Sequence, residues 1–289
     1  MKAQQHILDY HELTKRSYKE STNDEHLRMA KHIINALNYI KIKRLKQLTI
    51  KDGYRLVDYF KEHTKRNNNS INKMINYLKK IMLFYSTVTS FHQIKNLPKD
   101  TKPFRRLYHD DLKTIIDYIK NLNHSENSIV YKTFVMLALD SGMRKSELLN
   151  VKISNIDMHN KLIYLEETKT GKTRYVPFSN FSFKYVDKLK NSNPRREFLM
   201  YNFIKNRKLT SSDIKLFYKR TKKKFGIERL HTHRFRKTYA SLLADNGIPT
   251  QYVQKLLDHQ KISTTMKYIQ FDKIKPIETY KKYNDWSVY

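Results

Sequence analysis

Residues 231–241 read HTHRFRKTYAS. Two histidines and two arginines fall within six positions, and His231 with Arg234 has the same spacing as His233 with Arg236. The segment alone does not say whether one His and one Arg do chemistry or merely add charge. Two other stretches bear on it. LDSGMRKSELLNVKISNID (139–157) places Arg144 just after a glycine turn, with Glu147 three residues on. LLDHQKISTTMKYIQFD (256–272) places His259 and Tyr268 nine residues apart. Between these two lies KLIYLEETKTGKTRYVPF (161–178), in which apolar β-formers flank a Thr-Lys-Thr-Gly-Lys turn; it predicts a β-hairpin with lysine at its tip.

The chain of 289 residues suits two modest domains, each able to bury a core, and 39% hydrophobic residues make it globular rather than disordered. It has no run of about eighteen apolar residues and its N-terminal stretch lacks an apolar h-region, so neither a membrane span nor secretion is expected. With no cysteine, disulfides, thiolate metal sites and a thiol nucleophile are excluded, and a cytoplasmic location is compatible. Lys and Arg total 58 against 27 Asp and Glu, a formal net charge of +31. That imbalance points to a polyanionic partner. The basic residues are spread through both halves rather than gathered in one amphipathic helix, which favours double-stranded DNA over an anionic membrane. A binder without any active site is the bland alternative.

The residue types present narrow the chemistry. No GxxxxGK[ST] loop, HExxH motif or DxDxDG loop occurs. His231 and His233 form an HxH pair, but no acidic or histidine partner for zinc is apparent nearby, so no metal and no cofactor are expected. What remains is two arginines, a lysine, histidines and a tyrosine. Arginine forks suit the non-bridging oxygens of a phosphate, where charge builds during phosphoryl transfer. A tyrosine can attack phosphorus and remain attached, and a lysine can protonate the leaving oxygen. Each residue alone has a duller reading: Tyr268 is one of 21 tyrosines, Arg144 a surface charge paired with Glu147, and His259 a core histidine.

The N-terminal ninety or so residues read as helices. In STNDEHLRMAKHIINALNYI (21–40), Thr22 and Glu25 have capping-box spacing ahead of Leu27, Ala30, Ile34 and Leu37. LTIKDGYRLVDYF (48–60) repeats the pattern with Thr49 and Asp52. In NNNSINKMINYLKKIMLFY (67–85), Ser70 is the expected N-cap and Ile71, Met74, Ile75, Leu78, Ile81, Met82 and Tyr85 form one stripe. The opposite face carries Asn72, Lys73, Asn76, Lys79 and Lys80; either solvent or DNA can face it, and Asn72, Lys73, Asn76 and Lys80 are the candidate DNA contacts. KNLPKDTKPFRRL (95–107) has two prolines and no apolar period, which predicts a linker between a helical domain at 1–94 and a second domain at 108–289. Helices are expected again at 110–120, 128–143 and 211–227, the last ending at Gly226.

The order of these motifs resembles the tyrosine recombinase, or phage integrase, family. SGMRKSELLNV, HRFRKTYASLL and LLDHQKISTTMKYI are similar to its three catalytic boxes, ETKTGKTRYVPF to its lysine-bearing turn, and the segments at 45–60 and 68–85 to its core-DNA-binding helices. The resemblance implies a mainly α fold with a small antiparallel β-sheet, made of a helical core-DNA-binding domain and a catalytic domain that together clamp DNA. It implies Arg144 and Arg236 as phosphate clamps, His233 and His259 as hydrogen-bonding or proton-transfer groups, and Tyr268 as nucleophile. It selects His233 and Arg236 over His231 and Arg234, because KTYAS then follows in the family's register. Lys169 fits the general acid, with Lys172 the other candidate, and Glu147 a supporting residue. Asp258 stands where the family usually has Gly; its carboxylate either caps a helix or, pointing inward, opposes the phosphate. Lys237, where many members have His, looks benign. The layout is similar to compact Xer-type recombinases or small mobile-element integrases, with no room before residue 20 for an arm-binding domain. Such proteins perform integration, excision or resolution as a tetramer on two DNA sites, and the tail at 272–289, with Ile274, Ile277, Tyr280 and Tyr283 at helical spacing, is similar to their subunit-docking segment. The alternatives are a type IB topoisomerase, which shares the chemistry, and a DNA-binding protein that has lost catalysis.

If two basic domains grip DNA together, affinity falls steeply with salt, because each phosphate contact releases counterions. Titration of a duplex at rising salt measures this, and a fragment of residues 108–289 is expected to bind far more weakly than the whole chain. Equal affinity, or binding indifferent to salt, contradicts the clamp.

Overall fold

The computed structural model describes residues 2–100, 106–122, 126–166, 173–192, 196–225 and 230–266. The chain divides into two compact units, Met1–Pro103 and Phe104–Tyr289. Among the described residues no helix is long and apolar enough to cross a membrane.

The first unit is built from α1 (Ala3–Thr14), α2 (Glu20–Tyr39), α3 (Ile50–Glu62) and α4 (Asn68–Phe84). The predicted stripe of α4 is its buried face, with Ile71, Met74, Ile75, Leu78, Ile81 and Met82 each at most 4% exposed and Tyr85 packed at the edge. The capping box expected at α3 is present: Asp52 N–H donates to Thr49 Oγ1 at 3.3 Å and Thr49 N–H to Asp52 Oδ2 at 3.1 Å. The box expected at Thr22 is not. Helix α2 starts earlier, at Glu20, with Lys19 as an extended N-cap that makes no side-chain cap bond. Glu25 pairs instead with Lys73 Nζ at 2.9 Å, and the Asn23 amide donates to the carbonyls of Lys15 and Tyr18, closing the turn from α1. Helix α4 also starts ahead of expectation: Asn67, not Ser70, is the N-cap, accepting from Ser70 N–H at 2.9 Å.

The segment read as a linker is fastened at its start. The Asn72 amide donates to the Leu97 carbonyl at 2.9 Å and accepts from Leu97 N–H at 2.8 Å, while Asn68 and Asn69 donate to the carbonyls of Pro98 and Asp100. At the far end, Leu107 is buried in the core of the second unit.

That unit centres on α6 (Glu126–Ser141), whose residues from Lys132 to Ala138 are all buried, so it is enclosed on every side. Around it pack α5 (His109–Lys120), α8 (Asn180–Ser192) and α10 (Thr232–Asp245). After α6 the chain turns through Gly142 into the short α7 (Lys145–Leu149). Strands β1 (Ile156–Asp157), β2 (Leu162–Leu165) and β3 (Arg174–Pro177) then form an antiparallel sheet in that order, with Ile163 opposite Val176 and Leu165 opposite Arg174. The predicted hairpin is therefore β2–β3, and its tip, with Lys169 and Lys172, lies outside the described residues. A small hairpin, β4 (Tyr201–Asn202) and β5 (Arg207–Lys208), precedes α9 (Ser211–Phe225). Gly226, expected to end α9, lies outside the described residues. Helices α11 (Thr250–Leu257) and α12 (Ile262–Met266) complete what is described; Tyr268 and the tail are likewise outside it.

The two capping positions make a direct comparison. Thr49→Ala is expected to cost about 1 kcal/mol of stability, the usual worth of an N-cap. Thr22→Ala is expected to stay within about 0.5 kcal/mol, as for a surface change. Urea unfolding of both variants measures the difference, and equal losses contradict it.

Candidate active site

The site forms around the C-terminal end of α11. Helix termini leave carbonyls without intrahelical partners, and the accumulated dipole makes that end electronegative. Here three consecutive carbonyls each receive an arginine. Arg174 Nη1 donates to Leu256 O, Arg236 Nη2 to Leu257 O, and Arg144 Nη2 to Asp258 O at 2.8 Å. The three arginines come from β3, α10 and the turn before α7, so the α11 terminus gathers residues far apart in sequence.

Each arginine has a second anchor. Arg236 is 2% exposed and donates through Nη1 to Gly142 O at 2.8 Å. Gly142 has φ +61°, and a Cβ there would stand 2.4 Å from the Tyr239 ring, so this turn needs glycine for both conformation and space. Arg174 Nη2 donates to Glu147 Oε2 at 2.9 Å. Arg144 is the N-cap residue of α7; Glu147 accepts from its backbone N–H at 2.7 Å and from Nη1 at 2.6 Å. Glu147 is 4% exposed. Burial alone would raise its carboxyl pKa, yet Arg174 and the Arg144 hydrogen bonds hold it below the ordinary carboxylate range. The surface-charge reading of Arg144 fails on this geometry, because its partner is buried and shared with a second arginine.

The histidines complete the group. His259 follows α11, and its Nδ1 lies 2.8 Å from the Thr265 hydroxyl on α12. Burial, reinforced by Arg236 and Arg144, lowers its pKa to about 4. His233 stands on the first turn of α10, open to solvent on one side; desolvation of its ring and the charges of Lys237 and Arg236 bring it down to about 4 as well. Both are neutral at pH 7. His231 and Arg234 have other tasks. His231 Nδ1 caps α10 by accepting from Arg234 N–H, and the Arg234 guanidinium reaches Asp111 and the Arg106 carbonyl. Arg144, His233 and Arg236 line a cavity of about 560 Å³, which Lys145, Lys215, Lys219 and Lys222 also line. Guanidinium donors beside neutral imidazoles suit the binding of an oxyanion.

Of the six residues expected to be catalytic, Arg144, His233, Arg236 and His259 are brought together, while Lys169 and Tyr268 fall outside the described residues. Asp258 answers both alternatives raised for it. It is the left-handed C-cap of α11, at φ 51° and ψ 52°, and its Oδ2 accepts from Arg144 Nη1 at 3.1 Å. On α4, Lys73, Asn76 and Lys80 are exposed, Lys73 bridges to Glu25, and Lys80 donates to the Tyr18 hydroxyl at 2.5 Å; Asn72 is half-buried and holds Leu97. Sequence reasoning missed Arg174 and Thr265. Strand alternation offered a signal for Arg174, which shares a face with the buried Val176. Nothing local marked Thr265.

Comparison with known proteins identifies the family and the fold. The profile described as "Phage integrase family" matches residues 105–274. A probable integrase/recombinase of Acholeplasma phage L2 is 52% identical over 288 residues, covering the whole of both chains. The tyrosine recombinase XerA of Pyrococcus horikoshii is 28% identical over 69% of this chain and 68% of its own. Among solved structures, the Tn1549 transposon integrase bound to a circular intermediate DNA superposes with a TM-score of 0.79 at 16% identity, over 95% of this chain and 98% of that one. A lambda integrase dimer on a core site superposes at 0.75 and 18% identity, over 93% and 77%. The match of the family profile to more than half the chain, together with a relative similar from end to end, means that this chain belongs to the phage integrase family.

Proposed function

We propose that this protein is a site-specific recombinase that cuts DNA through a covalent 3′-phosphotyrosine and rejoins it to a new partner, in integration, excision or resolution. The observation that carries the reading is the convergence of Arg144, Arg236, His233 and His259 on one end of α11. Arg144 and Arg236 bind the non-bridging oxygens of the scissile phosphate and stabilise the charge that grows on them. The Tyr268 hydroxyl attacks phosphorus, forming the O–P bond as the bond to the 5′-oxygen breaks. Lys169 gives that 5′-oxygen a proton. His259, oriented by Thr265, and His233 hydrogen-bond the phosphate or pass protons. The new 5′-hydroxyl of a partner strand reverses the step, so the phosphotyrosine conserves the bond energy and neither ATP nor metal is needed. The enzyme works as a tetramer on two DNA sites in the cytoplasm, with the tail at 272–289 docking on a neighbouring subunit, and both a helical domain at 1–94 and the catalytic domain at 108–289 bind DNA. Lys73, Asn76 and Lys80 lie on the exposed face of α4 that meets the duplex; Asn72 acts there through the chain it fastens.

Single-turnover cleavage of a duplex selected by the protein from a random pool separates the roles. Tyr268→Phe is expected to bind this DNA and form no covalent adduct. Lys169→Ala is expected to cleave at least about a hundredfold more slowly, within the ordinary range for acid–base groups. Replacing the bridging 5′-oxygen with sulfur restores most of its rate, because a thiolate leaves without a proton. Arg144→Ala and Arg236→Ala stay slow on both substrates. Rescue of Lys172→Ala in place of Lys169→Ala moves the acid to Lys172, and adduct formation by Tyr268→Phe overturns the proposed nucleophile.

The histidines add a pH signature. A phosphate seated beside two imidazoles whose pKa values are about 4 raises both, so binding takes up protons and tightens as pH falls. Duplex affinity measured from pH 8 to pH 5.5 at constant ionic strength is expected to rise more for the wild type than for His233→Asn/His259→Asn. Parallel profiles contradict it.

A further inference from the structure

The Arg144 guanidinium already holds an anion. Its Nη1 donates to Asp258 Oδ2 at 3.1 Å, while its position is fixed by other bonds: Nη1 to Glu147 Oε1 at 2.6 Å, Nη2 to the Asp258 carbonyl at 2.8 Å, and the N-cap geometry of α7. The Asp258 carboxylate is therefore redundant for positioning. Its charge is not. Among the described residues the Arg144 and Arg174 guanidiniums pair with the carboxylates of Glu147 and Asp258, and Glu147 is enclosed at 2% side-chain exposure between Arg144 and Arg174. The Asp258 and Arg144 side chains are 16% and 22% exposed, so the second carboxylate, unlike Glu147, is in contact with solvent. It cancels one of the positive charges that would attract an incoming anion.

We infer that Asp258 is an internal competitor for the phosphate site: its carboxylate occupies Arg144 until a phosphate oxygen displaces it from the same N–H group. Asp258 thereby sets how strongly the site takes a phosphate, acting through Arg144 rather than on the reacting atoms. The inference rests on the phosphate-clamp reading of Arg144 given above. The left-handed backbone of residue 258 tolerates Asn and favours Gly, so the charge can be removed without disturbing the α11 terminus.

Calorimetric titration of the full chain with inorganic phosphate tests it, without requiring strand cleavage. Asp258→Asn and Asp258→Gly are each expected to bind phosphate at least about fivefold more tightly than the wild type, the lower end of ordinary coupling between competing ligands. The gain is expected to vanish when Arg144→Gln is added to Asp258→Asn. A merely structural role would alter the melting temperature and leave no Arg144-dependent gain. Binding by both variants that is no tighter than wild type overturns the inference, and so does a gain that survives Arg144→Gln. A protein that shows the gain yet forms no covalent adduct with DNA fails the recombinase reading alone; adduct formation without the gain fails this inference alone.

Discussion

A helix end that exposes three carbonyls in a row has to be satisfied, and in this protein arginine satisfies each of them. The rest of the second unit is arranged so that this can happen. Strand β3 delivers Arg174, α10 delivers Arg236, and the turn at Gly142 delivers Arg144. Concentrating three guanidiniums would be repulsive by itself; the buried Glu147 and the negative end of the α11 dipole offset that repulsion. The same end of α11 leads directly into His259, so one terminus fixes the arginines and an imidazole together. The arginines are held by backbone carbonyls and by the enclosed Glu147 carboxylate, so the donors are fixed in place in advance.

Much of this was legible in the sequence, because it depends on local rules. The α4 stripe follows from helical periodicity, the β2–β3 hairpin from β-formers around a turn, and the α3 cap from Thr49 and Asp52. The fold class and the family were legible from the order of motifs, none of which is persuasive alone. What was not legible depended on partners distant in the chain. Thr22 and Glu25 have capping spacing, but Lys73, 48 residues away, takes the carboxylate. Asp258 could be flagged as unusual, but its contact with Arg144 spans 114 positions. The place of Asn72 on the polar face makes it a candidate DNA contact; that its amide also donates to the Leu97 carbonyl and accepts from the Leu97 N–H was not legible.

That Asn72 contact changes how the basic face of α4 is understood. A polar stripe on an amphipathic helix is usually solvated, and its residues are interchangeable. Here the stripe is mixed: Lys73, Asn76 and Lys80 stay exposed, while Asn72 and Asn68 fix the chain that leaves the unit. The two asparagines give the start of the connecting segment a defined course. A Pro-bearing, basic stretch would otherwise be free to wander.

The glycine turn after α6 has a consequence for which substitutions the protein can accept. Gly142 touches no substrate in the proposed chemistry, yet its carbonyl is an anchor of Arg236 across 94 residues, and its α-hydrogen faces the Tyr239 ring. A single added methyl at this position must push away Tyr239 or the turn itself, in a conformation that already disfavours a side chain. Either movement displaces the carbonyl to which Arg236 is tethered. A substitution at Gly142 therefore acts on the Arg236 guanidinium from a distance, and an inactive variant there would imitate the loss of an arginine it leaves chemically intact.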